Sequence, residues 1–82
     1  MSFSYPGGGS FTREGNEWVE QTPEGSMFTF AEQNRDGDYI YLFDESRLMK
    51  LRLPIVGGLS SWRIDDGPWI DLYVVEPQYG SR

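Results

Sequence analysis

The sequence predicts an all-β fold: a mostly antiparallel meander of six or seven strands, closed as a small barrel or folded as a sandwich. Three observations predict it. Turn signals recur about every ten residues, at Gly15-Asn16, Pro23-Glu24-Gly25, Asp36-Gly37, Glu45-Ser46-Arg47, Gly57-Gly58 and Asp66-Gly67. The intervening segments are rich in aromatic and β-branched residues, which favour pleated strands. No segment sustains a helical apolar stripe. Arg47 to Leu51 imitates one briefly, but Pro54 and Gly57 close that window.

In chain order, residues 1–10 read as a flexible arm, because Gly7-Gly8-Gly9 offers little to pack. The domain then spans residues 11–77, with strands expected at Phe11–Glu14, Glu17–Gln21, Met27–Gln33, Tyr39–Asp44, Met49–Ile55, Leu59–Ile64 and Trp69–Glu76. Residues 78–82 read as a frayed tail. Asp36-Gly37 suits a type I′ hairpin with positive φ at both central residues. Asp66-Gly67 is similar, with Pro68 stopping the turn from extending the strand. Pro23-Glu24-Gly25 suits a type I turn followed by a left-handed glycine, and Gly57-Gly58 supplies freedom for another reversal.

Alternation assigns the faces. Met49, Leu51, Leu53 and Ile55 oppose Lys50 and Arg52, so that strand has one dry side and one wet side. Phe28 and Phe30 oppose Thr29 in the same way. Two strands carry apolar groups on both faces: Tyr39, Tyr41 and Phe43 against Ile40 and Leu42, and Trp69, Tyr73 and Val75 against Ile70, Leu72 and Val74. Such strands do not suit a single sheet with one solvated face. Either the sheet closes on itself, or a second subunit covers it.

The elements Trp18-Val19-Glu20, Phe28-Thr29-Phe30 with Glu32, Arg35-Asp36, Tyr41-Leu42-Phe43-Asp44, Ser46-Arg47 and Leu51-Arg52-Leu53 together form a pattern that resembles small, uncharacterised bacterial β domains. The resemblance covers about half of the chain, from Phe11 to Pro54. It implies an all-β fold and no established activity, so it assigns no functional residue.

Composition narrows the chemistry. At 82 residues the chain is one domain, and one of this size buries only a little over ~60% of the surface its unfolded form exposes. It has no cysteine and no histidine. That removes disulfides, Ser-His and Cys-His nucleophile pairs and the commonest zinc ligands. Thirteen acids against seven bases give a net charge of −6, which opposes binding to nucleic acid or anionic membranes. No signal peptide or membrane-spanning run is visible, so the cytoplasm is the default compartment; export by another route or packaging into a larger particle stays open.

Of the candidate sites, Trp62, Asp65, Asp66, Trp69, Asp71 and Tyr73 form the most suggestive ligand-binding group. Aromatic platforms stack on a sugar face, and carboxylates accept hydrogen bonds from its hydroxyls. The competing reading puts the tryptophans in the core and the aspartates in a solvated turn. Glu32 to Asp38 has alternating oxygen ligands suggestive of calcium, but Phe43 stands where the closing glutamate of such a loop belongs, and a plain hairpin is expected instead. Asp65/Asp66 and Glu17/Glu20 invite a glycosidase reading, for which so small a domain has little room. Arg47, Lys50, Arg52 and Arg63 could form a basic strip, read here as alternating charge on a wet strand face with Asp44 pairing Arg47 or Arg52. The expected function is thus a non-catalytic binding module with no cofactor or metal and a glycan as its ligand. The alternatives are a homo-oligomeric structural or interaction protein and, third, an acidic inhibitor or immunity-type partner of a basic protein.

Overall fold

A computed structural model describes residues 1–78 and places eight strands in chain order: β1 (Ser2–Tyr5), β2 (Gly9–Glu14), β3 (Glu17–Gln21), β4 (Met27–Arg35), β5 (Tyr39–Asp44), β6 (Met49–Pro54), β7 (Gly58–Ile64) and β8 (Ile70–Gln78). Each strand pairs antiparallel with its chain neighbour, and β1 pairs with β8 to close a barrel. Of the two expected architectures the barrel forms, and no described residue is helical.

Residues 1–10 are not an arm. Ser2, Phe3 and Ser4 pair with Gln78, Pro77 and Glu76, and Phe3 is fully buried. The three glycines make a turn rather than a linker: Gly7 and Gly8 take φ of 95° and 101°, and the Gly8 amide donates to the Tyr5 carbonyl at 3.3 Å. Gly9 serves a different purpose. A Cβ built there would lie 1.9 Å from the Tyr5 ring, so only glycine lets that ring fold inward across the strand. The expected tail begins inside β8 at Gln78, and its remaining residues lie outside the described ones.

Strand alternation fills the interior. Phe3, Tyr5, Phe11, Trp18, Phe30, Ile40, Leu42, Leu51, Leu53 and Val75 form one buried cluster. An eight-stranded barrel is just wide enough for such side chains to fill it. Aromatic rings meet at tilted angles, with Phe3–Trp18 centroids 5.8 Å apart and Phe11–Phe30 6.2 Å apart, as ring quadrupoles prefer. Two irregularities interrupt the alternation. In β4 an extra residue near Gln33 shifts the register against β5, and in β8 an extra residue near Leu72 lets both Leu72 and Tyr73 pack on the core.

Turn chemistry follows the expectation at Thr22–Ser26, where Gly25 has φ of 95° and its amide donates to the Thr22 carbonyl. It departs at Asp36-Gly37, where neither residue takes positive φ. Here the Asp36 carboxylate accepts the Asp38 and Tyr39 amides, both at 2.8 Å, and the side chain supplies what an inverted turn would otherwise provide. In the β7–β8 turn the left-handed residue is Asp65, with φ of 53°.

Gly9→Ala forces the Tyr5 ring out of its place and is expected to lower unfolding free energy by roughly 1–3 kcal/mol or more, measured by urea denaturation. Gly37→Ala, with open space around the new methyl and no positive φ, should stay within about 0.5 kcal/mol of the parent. A Gly9→Ala variant as stable as Gly37→Ala would rule out the close approach of Tyr5.

Candidate functional site

The barrel is stoppered at one end and open at the other. At the closed end Trp18 is fully buried and its indole N–H donates to Glu32 at 2.9 Å. Arg35 donates twice to the same carboxylate at 3.0 Å, and Arg13 approaches to 4.0 Å. The open end carries the turns β1–β2, β3–β4, β5–β6 and β7–β8.

A cavity of about 320 Å³ occupies this mouth, lined by Glu20, Thr22, Phe28, Arg47, Met49, Trp62, Leu72 and Tyr73. Its position follows from strand parity. Trp18, fully buried, shares a face with Glu20, so the first obliges the second to point inward, where Glu20 is 5% exposed. The Tyr5 hydroxyl donates to Glu20 Oε2 at 2.7 Å, and the Tyr5 ring stacks on Tyr73 at 3.9 Å with planes 3° apart. Burial, then the bond to Glu20, pushes the Tyr5 hydroxyl far above its ordinary pKa; burial followed by the Glu20 charge raises Tyr73. Both phenols therefore stay neutral donors at physiological pH.

Arg47 reaches the same mouth from the β5–β6 turn. Its guanidinium lies 4.0 Å over the Phe28 ring and 5.4 Å from Phe30, and it pairs with the buried Asp44. Asp44 also accepts the Ser46 amide at 2.9 Å and the Ser46 hydroxyl at 2.7 Å. Of the two partners expected for Asp44, Arg47 is the one it has. Arg47 Nη2 is buried without a hydrogen-bond partner.

The outer wall carries a second cluster. Arg52 sits 4.4 Å from both the Tyr39 and Trp69 rings, and Arg63 sits 4.5 Å from Trp69. The outer apolar face of β5 is thereby covered in part by the chain's own guanidinium and Trp69. A cleft of about 180 Å³ lies here, lined by Gln33, Asn34, Tyr41, Lys50, Arg63 and Trp69, among others.

The six residues read from the sequence as one group are divided by the barrel wall. Trp62 and Tyr73 line the mouth, and Trp69 lies on the outside. The register explains the split: Trp62 pairs with Ile70, so the residue before Ile70 faces the other way. Asp65 and Asp66 are exposed in the rim turn, with Asp66 3.7 Å from Lys50, and Asp71 is exposed opposite Ser61. Thr22, Phe28, Met49 and Leu72 were not among the candidate residues, and Glu20 and Arg47 were weighed only in a hydrolytic pair and a basic strip, though the shared parity of Trp18 and Glu20 was a readable signal for Glu20. Glu32 and Asp36, two of the three acids of the calcium-like stretch, are engaged respectively by Trp18 and Arg35 and by turn amides and the Tyr41 hydroxyl.

Comparison with family models, curated proteins and solved structures finds no match to this chain. The architecture and the two clefts stand on their own geometry.

Acid sensitivity follows from the buried Asp44 and the half-buried Glu32 carboxylates. Burial alone would raise the Asp44 carboxyl, but bonds from Ser46 and Arg47 and the Arg47 charge together hold it below its ordinary value. The Arg35 bond does the same for Glu32 against opposing burial, with Trp18 adding to it. Carboxyls lowered in the folded state contribute stability above their unfolded pKa of about 4, and that contribution is lost as pH falls through the folded values. Stability should be nearly level from pH 7 to about 5 and fall below about pH 4. Asp44→Asn should cost roughly 1–3 kcal/mol at pH 7 and flatten the acid limb. Urea titrations across this range check it, and an acid limb unchanged in the variant would remove Asp44 from the account.

Proposed function

We propose that this protein is a non-catalytic binding module that holds a carbohydrate residue in the mouth of its barrel. The observation that carries the reading is the mouth cavity, which sets the rings of Trp62 and Tyr73 beside Glu20, Thr22 and Arg47 in about 320 Å³. That volume lies at the small end of ligand pockets, about 300–1,000 Å³. A sugar ring presents an apolar C–H face and a rim of hydroxyls, and the mouth offers a counterpart to each. The rings stack on the C–H face. Glu20 accepts from Tyr5 and has lone pairs for further donors, while Arg47 donates only. Glu20 is the one carboxylate among the lining residues. Glycosidic hydrolysis ordinarily requires a facing pair, so the lining supports holding a sugar rather than cleaving it.

A second reading, self-association, is favoured by one observation. Leu59 and Val74 pair across β7 and β8 on the outside, 45% and 58% exposed, and two adjacent exposed aliphatics suit a contact with another copy. Light scattering behind size exclusion separates the readings, since a monomer at high concentration removes the second and leaves the first.

A glycan array probed with the parent, Trp62→Ala and Trp69→Ala tests the first. The parent should bind at least one glycan, Trp62→Ala should weaken that binding by about tenfold or more, and Trp69→Ala should leave it unchanged. Circular dichroism confirms that the variants fold. No glycan above background, or binding indifferent to Trp62, would overturn the reading.

A further inference from the structure

We propose a second ligand site on the outer wall: the cleft beneath Trp69 binds a tetrahedral oxoanion, the group that a phosphate or sulfate monoester carries. Lys50 and Arg63 are direct cross-strand partners facing the same side, and like charges placed opposite one another destabilise a sheet. Arg52, two residues along β6, adds a third cation to the same wall. This concentration stands in a chain of net charge −6.

The wall's own carboxylates do not neutralise it. Among the described residues neither Arg52 nor Arg63 makes an ion pair, and Lys50 has only Asp66, 3.7 Å away on a side chain that is 94% exposed. A contact so exposed is worth little. The Nε atoms of Arg52 and Arg63 are buried with no hydrogen-bond partner.

The aromatic stacking fits an anion site as well. Trp69 takes the Arg63 guanidinium against its ring and shares Arg52 with Tyr39. A stacked guanidinium spends its face on the ring and leaves its in-plane N–H groups for an oxyanion. The β4 irregularity lies near Gln33, and Gln33 and Asn34 line the same cleft. Tyr41 contributes its ring alone, because its hydroxyl is given to Asp36 at 2.9 Å. The cleft of about 180 Å³ suits a small anionic group rather than a whole ligand. Lys50 and Arg63 hold the charge, the Gln33 and Asn34 amides donate to the remaining oxygens, and Arg52 fixes Trp69 in place.

The test follows the Trp69 indole N–H and thermal unfolding during titration with inorganic phosphate, sulfate and acetate at matched ionic strength, in the parent, Lys50→Gln and Arg63→Gln. Phosphate and sulfate stabilise folded proteins generally by exclusion from their surface, so the site is read from the difference between parent and variants. The expected result is a saturable shift of the Trp69 indole resonance with phosphate or sulfate and a larger rise in melting temperature for the parent than for either variant. Each substitution should weaken binding by about tenfold or more. Lys50→Gln touches no stacked ring and should melt no lower than the parent without an anion, because it relieves the opposition to Arg63. A monosaccharide phosphate and a monosaccharide sulfate then distinguish the natural carriers. An indole resonance that moves with no anion, equal response to acetate, or variants that respond as the parent does would overturn the proposal.

Discussion

Closure of the sheet through β1 and β8 is the constraint on which everything else rests. It is made by a four-residue strand pairing Ser2, Phe3 and Ser4 with Gln78, Pro77 and Glu76. Without it, two edges would be open to other chains, and Phe3 and Tyr5 would leave an interior that a domain this small cannot spare. Closure also builds the mouth. Tyr5 comes from β1, and through its ring and hydroxyl it positions Tyr73 and Glu20 together.

Much of the fold was legible because burial and strand parity coincide. Glu17–Gln21 and Tyr39–Asp44 have the expected bounds, and Leu51 and Leu53 face inward while Lys50 and Arg52 face out. What escaped was whatever depends on a contact distant in sequence. A glycine triplet looks like a linker until Tyr5 is seen lying across Gly9. The registers beside Gln33 and Leu72 were hidden for a related reason, since an inserted residue is defined against its partner strand and leaves little mark in its own. The candidate site was half legible: Trp62 and Tyr73, named together from the sequence, do line one cavity, but the hairpin register that sends Trp62 inward and Trp69 outward lay beyond local pattern.

The charged groups within the barrel obey a simple geography. Glu20 and Asp44 sit at the mouth and Glu32 at the closed end, each with donors in reach, while the middle is filled by aromatic and aliphatic side chains. Ser60 is the polar exception; its hydroxyl donates to the Tyr73 carbonyl and accepts the Tyr73 amide, tying the irregular stretch of β8 to β7. Ion burial is costly without compensation, and each of these carboxylates is met by donors from the chain itself. The same placement leaves carboxylate and guanidinium where a solute could reach them.

The cavity walls come from strand ends and turn residues, and the four connections around that rim are each anchored independently by neighbouring ladders. Such a layout separates what maintains the barrel from what decorates its opening. Provided the backbone at Gly7, Gly8, Gly25, Leu48 and Asp65 keeps its left-handed shape, loop composition there is free to drift. The rim can then change its side chains while the staves beneath it stay as they are.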